Sequence, residues 1–150
     1  MDRRSFLKKT VLGTGALIVG GAPAVTQIAK ASEKRDIPVF GPDLKTAGGR
    51  KHTPFVKAPK RVKAGEWFDV FVEVGHYKPH PNTVNHYIES VALYVDKFEV
   101  ASARFRAAQG APRATFTVKV DKPGKVTLRG FGYCNLHGLW VSLPVEVEVV

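Results

Sequence analysis

The stretch WFDVFVEV at residues 67–74 decides the fold class of this chain. It is rich in aromatic and β-branched residues, which are enriched in strands. Near the other end of the chain, VEVEV at residues 145–149 alternates apolar and acidic residues strictly. Strict alternation is typical of a strand that buries one face. Both stretches therefore indicate β-structure.

Further segments of the same character lie between and beside these two stretches, and short breaks rich in Gly, Pro and Asp separate them. They cover residues 86–95, 99–105, 114–120, 125–131 and 140–150. The sequence shows no convincing amphipathic helix and no internal repeat. Strands at this spacing in one domain predict an all-β fold, an immunoglobulin-like antiparallel β-sandwich of about seven strands.

Residues 1–31 resemble a twin-arginine export signal and are expected to lie outside the fold. Arg3 and Arg4 are adjacent, a weakly apolar run covers residues 11–28, and AKA at residues 29–31 fits a signal peptidase site. The signal predicts a periplasmic protein, or one otherwise outside the cytoplasmic membrane. Gly and Pro residues weaken the run, so no permanent membrane span is expected. A short amphipathic anchor that stays attached is the alternative.

The rest of the chain is interpreted as two parts. Residues 32–49, with several Gly and Pro, are a linker or N-terminal arm, and residues 50–150 are the sandwich domain. The formal net charge is +10. Because there is no basic helix, aromatic RNA-binding signature or basic low-complexity arm, no nucleic-acid partner is expected. The charge is interpreted either as a solvated surface or as a field that attracts a small anion.

The chain has a single cysteine, Cys134, within RGFGYCNLHGLW at residues 129–140. His137 follows three positions later, so a thiolate and an imidazole can bind one metal ion through a tight turn. An exported protein with one cysteine cannot form an internal disulfide, and its thiol is therefore either free or protected by a metal. A buried free cysteine beside an unrelated histidine is the alternative.

Four of the five histidines, His52, His80, His86 and His137, fall in predicted loops or at strand starts. Four imidazoles and one thiolate exceed the four ligands of structural zinc, and this mixture fits iron or copper better. A five-coordinate ion also keeps one position open for a small ligand. The fifth histidine, His76, is interpreted as a loop residue rather than a ligand.

Three motifs in order are similar to those of the superoxide reductases: KHTP at residues 51–54, HPN at 80–82 with HYI at 86–88, and CNLHGLW at 134–140. The resemblance spans roughly residues 50–150 and is greatest to the one-iron neelaredoxin type and to the iron domain of desulfoferrodoxin. It implies an immunoglobulin-like sandwich that binds one non-haem iron, Fe2+ or Fe3+. The resemblance implies that the four equatorial nitrogen ligands are those of His52, His80, His86 and His137. It implies that the axial ligand is the sulfur of Cys134.

The resemblance also implies the activity, which is the one-electron reduction of superoxide to hydrogen peroxide. An external donor, a rubredoxin-like protein or a cytochrome, would then re-reduce the iron. Lys51 matches the family's lysine that guides superoxide and its protonation. Arg50 departs from the family pattern, in which a glutamate often precedes the first histidine ligand by two residues and caps the ferric iron. Family members are often dimers or tetramers, which implies a homo-oligomer.

Three other interpretations remain open at this point. FGYCNLH at residues 131–137 also looks like the C-terminal copper loop of a cupredoxin-like electron carrier. Such a site usually adds a weak axial methionine, and the only methionine here is Met1, in the expected signal. A non-catalytic exported sandwich whose histidines hold zinc or no metal is the second. The third keeps the iron and gives it a role in peroxide handling or sensing.

Overall fold

The computed structural model describes residues 39–150. The signal expected at residues 1–31 and the first part of the expected arm lie outside that range. Ten strands and one short helix follow one another within it: β1 Val39–Phe40, α1 Ala47–His52, β2 Phe55–Lys57, β3 Arg61–Val62, β4 Trp67–Glu73, β5 Ile88–Val95, β6 Phe98–Arg104, β7 Arg113–Lys119, β8 Gly124–Cys134, β9 Gly138–Val141 and β10 Val145–Val149.

The strands form two sheets, which confirms the all-β sandwich. One sheet has seven strands: β1, β9, β8, β10 and β3 in that order, with β5 and β6 joined to β8 through β5. The other sheet has the order β2–β4–β7. The pairings are antiparallel except at two edges, where β1 pairs with β9 and β3 with β10 in parallel.

The structure has ten strands where the sequence predicted about seven, and six of the ten match predicted segments. The other four are β1, β2, β3 and β9, which have two to four residues each. A strand that short cannot show alternation, so its sequence carries no periodic signal. The two parallel edge pairs fall among these short strands, and for that reason the sequence predicted a wholly antiparallel fold.

The core lies between the two sheets and is built mainly from aliphatic side chains. Along β4 the buried residues alternate with exposed ones, as the sequence predicted. Val70 and Val72 of β4, Val91 and Leu93 of β5, and Leu128 of β8 are fully buried. Each such side chain stabilises the fold by roughly 1.5–3 kcal/mol through burial of apolar surface. The site described below therefore rests on a rigid, well-packed scaffold. No helix within residues 39–150 has the length and apolar character needed to cross a membrane.

β8 carries glycine at two inward positions, Gly130 and Gly132, where the sheets approach closely. A Cβ atom at Gly132 would lie 2.5 Å from Val74 Cγ2, and one at Gly130 would lie 2.8 Å from Val56 Cγ2. Neither position has room for a side chain unless the opposite sheet moves. These glycines thus set the distance between the sheets directly beside the strand end that carries Cys134.

We expect Gly132→Ala to lower the free energy of unfolding by about 1–3 kcal/mol, because the added methyl group overpacks the core. Urea unfolding followed by circular dichroism measures the change. Gly41→Ala is the matched control, since a Cβ there would have no heavy atom within 4 Å. Equal stability of the Gly132→Ala variant and the unchanged protein would contradict this account of the inter-sheet contact.

Candidate metal centre

Helix α1 presents the first histidine of the site, although its sequence AGGRKH has two glycines and low helix propensity. Capping compensates for this. The Thr46 Oγ1 accepts a hydrogen bond from the Gly49 N–H at 2.9 Å. The Asp43 carboxylate accepts bonds from the Thr46 hydroxyl and from the N–H groups of Lys45 and Thr46, and these bonds lower its pKa. The helix therefore depends on local side-chain bonds that hydrophobic periodicity does not reveal.

His52 lies at the end of α1 and is 5% exposed. Its Nδ1 lies 2.7 Å from the Gly48 carbonyl oxygen, which can only accept, so Nδ1 carries the proton and Nε2 has the free lone pair. Gly49 permits this placement, because a Cβ atom there would overlap the backbone of Asp43. The helix thus fixes both the position and the tautomer of His52.

His80 and His86 lie on the long connection between β4 and β5. The Nδ1–H of His80 donates to the Pro81 carbonyl oxygen at 2.6 Å, which leaves its Nε2 as the free acceptor. At Gly75 the backbone has φ +90° and packs against His80, where a Cβ atom would lie 3.1 Å from the His80 nitrogen. This position therefore requires glycine for both conformation and space.

Cys134 ends β8 and is fully buried, whereas His137, in the turn before β9, is exposed. The Cys134 Sγ lies 3.5 Å from the His137 Nδ1. Gly138 begins β9 with φ +78°, a conformation that favours glycine and closes the tight turn. The turn therefore brings a buried sulfur and a solvent-reaching imidazole together, as the C-x-x-H spacing predicted.

The four imidazoles form a closed ring. The ring centroids are 4.7 Å apart for His52–His80 and for His80–His86, and 4.8 Å apart for His86–His137 and for His52–His137. The diagonal pair His52–His86 is farther apart, at 6.3 Å. One ligand atom from each of His52, His86, Cys134 and His137 lies within 4.8 Å of the others. Four of the five predicted ligands thus meet at one place, and the His80 ring lies beside them, against His52 and His86.

The donor atoms at this place fit a metal ion. The Nε2 atoms of His80 and His86 are buried and have no hydrogen-bond partner. The Nε2 of His52 and the Nδ1 of His137 lie 3.1 Å apart. Buried polar atoms are nearly always satisfied, so these two unpaired nitrogens beside a close pair of imidazole nitrogens fit a cation-binding site. The carbonyl groups that accept from the Nδ1–H of His52 and His80 are the usual outer partners of metal-binding histidines.

Burial favours the neutral form of the His52, His80 and His86 imidazoles, which is the form that binds metals. Burial lowers the pKa of His52, and repulsion by Lys51, or by His137 or His86 when protonated, lowers it further. Burial also lowers the pKa of His86. For His80, burial together with the nearby imidazoles lowers the pKa from 6.5 to about 4. The site is therefore ready to bind a cation at neutral pH.

We expect the metal-free protein to lose stability as the pH falls from about 6.5 to about 4. Unfolded His80 binds a proton near pH 6.5, whereas folded His80 does so only near pH 4, so acid favours the unfolded chain. His52 and His86 shift in the same direction. Because these rings are only partly shielded from solvent, we expect the free energy of unfolding to fall by a total on the order of 2 kcal/mol.

Denaturant unfolding of chelator-treated protein across this pH range measures this decrease. His80→Gln should flatten the profile, and a pH-independent stability would refute the assignment.

His76, the fifth histidine, lies outside the imidazole ring. It is exposed, its Nδ1 lies 3.1 Å from the Glu73 Oε2, and its ring stacks on Phe55 with centroids 3.8 Å apart. Arg113 binds the other oxygen of the same carboxylate at 3.6 Å. The structure thus gives His76 a place in a surface cluster, in keeping with its interpretation as a loop residue.

The two basic residues before His52, Arg50 and Lys51, interact with different groups. The positive charge of Lys51 contributes to the lowered pKa of both His52 and His86, so its ammonium group acts on the site. The Arg50 guanidinium instead donates to the carbonyl oxygens of Leu44 and Lys45, at 3.4 Å and 3.2 Å. Among residues 39–150, no carboxylate belongs to the cluster of candidate ligand atoms.

Two further side chains contact the site residues: Trp140, which the sequence suggested as a wall of the site or the core, and Asn135, whose side chain it gave no role. Trp140 stacks on His52 with centroids 5.1 Å apart and donates from Nε1 to the His137 carbonyl oxygen at 3.2 Å. Asn135 hydrogen-bonds to the backbone on both sides of His86. Their position inside the CNLHGLW segment is the signal that marks them, since each lies within three residues of His137.

Comparison with known proteins agrees with this geometry. A family described as Desulfoferrodoxin matches residues 44–143. The chain is 36% identical over 109 residues to the superoxide reductase of Pyrococcus horikoshii, covering 67% of this chain and 90% of that protein. It is 36% identical over 110 residues to the neelaredoxin of Megalodesulfovibrio gigas, covering 61% and 83%. The solved superoxide reductase (neelaredoxin) of Ignicoccus hospitalis superposes with a TM-score of 0.65 at 35% identity, covering 75% and 95%. The chain therefore belongs to the desulfoferrodoxin family.

Proposed function

We propose that this protein is a superoxide reductase, which uses one electron and two protons to convert superoxide to hydrogen peroxide at a mononuclear non-haem iron. The observation that carries the proposal is the closed ring of four imidazoles with the buried Cys134 sulfur beside it. Two of the relatives named above, those of Pyrococcus horikoshii and Ignicoccus hospitalis, carry this activity in their names. Together these support iron as the cofactor and superoxide as the substrate.

The residues that would hold the iron are His52, His80, His86, His137 and Cys134. When bound, the iron supplies the electron and a positive centre for the anion. Fixed tautomers at His52 and His80 direct their Nε2 lone pairs into the ring. The exposed His137 leaves the site close to solvent, so a diatomic anion needs no channel. Four imidazoles exceed the two that a blue-copper site uses, which favours iron.

Lys51 would guide the substrate. Its charge acts on His52 and His86, so an approaching anion is attracted towards the imidazole ring. An ammonium group can also donate a proton to the reduced oxygen species, and water can then re-protonate it. Arg50 is tied to two carbonyl oxygens and supports the arm beside α1 rather than the substrate.

Pulse radiolysis of the iron-loaded protein tests the function. A burst of superoxide should oxidise the ferrous protein in a second-order reaction, with one hydrogen peroxide formed for each iron oxidised. Zinc-loaded protein is the matched control, because it has the same fold without a redox-active ion. A ferrous site that superoxide leaves unoxidised would refute the enzymatic role.

We also propose that an external one-electron donor, a rubredoxin-like protein or a cytochrome, re-reduces the iron, and that the protein forms a homo-oligomer. These 150 residues contain a single cysteine, so a four-cysteine iron domain is not among them. Reduction of the ferric protein by purified candidates, followed optically, identifies the donor. Sedimentation equilibrium gives the oligomeric state.

Export through the twin-arginine route is part of the same proposal. Arg3 and Arg4, the weakly apolar run and AKA at residues 29–31 support it. We expect the full chain, expressed in a bacterium with that route, to appear in the periplasm with Ser32 as its first residue. Replacing both arginines by lysine should keep it in the cytoplasm. Export that persists in the double variant would refute the route.

A further inference from the structure

We propose that Asn135 is a positioning residue that fixes His86 against the turn carrying Cys134 and His137, and that it thereby sets iron retention. Asn135 lies between two of the proposed ligands in sequence. Its side-chain Oδ1 accepts from the Tyr87 N–H at 2.9 Å, and its Nδ2 donates to the Asn85 carbonyl oxygen at 2.8 Å. One amide therefore binds the residue before His86 and the residue after it.

The segment that carries His86 has few other fixed points. Residues 76–87 contain no helix or strand, so regular backbone pairing does not position the imidazoles on it. A local turn binds Thr83 to His86 through the Thr83 N–H, at 2.9 Å to the His86 carbonyl oxygen, and through the Thr83 Oγ1. This turn stays within the segment. Asn82 links the segment to the loop before β7, where its Nδ2 donates to the Gly110 carbonyl oxygen at 3.1 Å and its Oδ1 accepts from the Ala108 N–H at 3.0 Å. Neither contact reaches the turn with Cys134 and His137, so an anchor between that turn and His86 must come from β8.

Asn135 supplies that anchor from the rigid end of β8. Its backbone N–H also donates to the Tyr87 carbonyl oxygen at 3.2 Å, so the residue makes three bonds to the His86 segment. The same residue follows Cys134, which is fully buried at the end of β8. Both side-chain atoms of the amide are used, one as donor and one as acceptor, so only a primary amide of this length satisfies both partners. Residues that orient metal ligands typically change metal affinity by about tenfold to a hundredfold.

The inference rests on the proposed iron site but not on the reaction with superoxide. Its test is the rate at which the full-length ferrous protein loses iron to an excess of a strong chelator, together with the visible band of the ferric protein. Both can be measured whether or not superoxide oxidises the site. A failure of the proposed activity and a failure of this inference are therefore distinguishable.

We expect Asn135→Ala to release iron about tenfold to a hundredfold faster than the unchanged protein and to shift the thiolate-to-ferric band. Asn135→Asp keeps the acceptor for Tyr87 and loses the donor for Asn85, so it should also release iron at least several-fold faster. This near-isosteric variant decides the question if the alanine variant does not fold.

Thr117→Val is the matched control. It removes a side-chain hydrogen bond of 2.6 Å to Asp69 in the three-stranded sheet, away from the proposed ligands, and should leave iron release unchanged. If a folded Asn135 variant released iron at the native rate with the native band, the positioning role would be overturned. The same conclusion would follow if Thr117→Val released iron as fast as the Asn135 variants, because the effect would then be a general loss of stability.

Discussion

Cys134→Ser is expected to abolish superoxide reduction, lowering its second-order rate constant by at least about a thousandfold, while the fold persists. The sulfur is fully buried and lies 3.5 Å from the His137 Nδ1, inside the cluster of candidate ligand atoms. A serine hydroxyl has nearly the same shape, but it stays protonated at neutral pH and is a much weaker donor than a thiolate. The variant therefore keeps the packing and loses the electron-rich ligand.

Two measurements check this prediction. The visible thiolate-to-ferric band should disappear from the oxidised variant, and pulse radiolysis should show no fast oxidation of its ferrous form. Tyr133→Phe is the matched control, because the neighbouring side chain on β8 faces the opposite side of the sheet and should leave both unchanged. A Cys134→Ser protein with native band and rate would mean that sulfur does not bind the iron.

The sequence predicted the sandwich and the five candidate ligands for different physical reasons. Long strands such as β4 and β5 bury alternate residues, and that alternation is visible in the sequence. The candidate ligands could be named because imidazoles and a lone thiol in loops are chemically conspicuous. Convergence of four separate segments on one point is a tertiary property, which only the resemblance to a known family could indicate beforehand.

The sequence carries no comparable signal for helix α1 and Asn135, which hold the candidate ligands in place. Helix α1 has a sequence that disfavours helix, and it forms because Thr46 caps it and Gly49 lets it pack on Asp43. Asn135 looks like any turn residue until the segment around His86 is seen beside it. The helix and the role of Asn135 both depend on side-chain contacts in the folded protein, which patterns in a single sequence do not show. The sequence therefore indicated the candidate metal ligands better than the contacts that hold them in place.

Lys51 is expected to control how fast superoxide reaches the site. Its charge acts on His52 and His86, and within residues 39–150 no carboxylate pairs with it at ion-pair distance. We expect Lys51→Ala to lower the second-order rate constant with superoxide about tenfold and Lys51→Glu to lower it further, because the local field then repels the anion. The native rate should also fall with rising ionic strength, and this dependence should be weaker in Lys51→Ala.

Lys125→Ala is the matched control, since it removes the same charge near the end of β8 opposite Cys134 and should change the rate less than twofold. Pulse radiolysis at several salt concentrations distinguishes the outcomes: equal losses in Lys51→Ala and Lys125→Ala would assign the attraction to net charge, whereas a loss confined to Lys51 places it at the site.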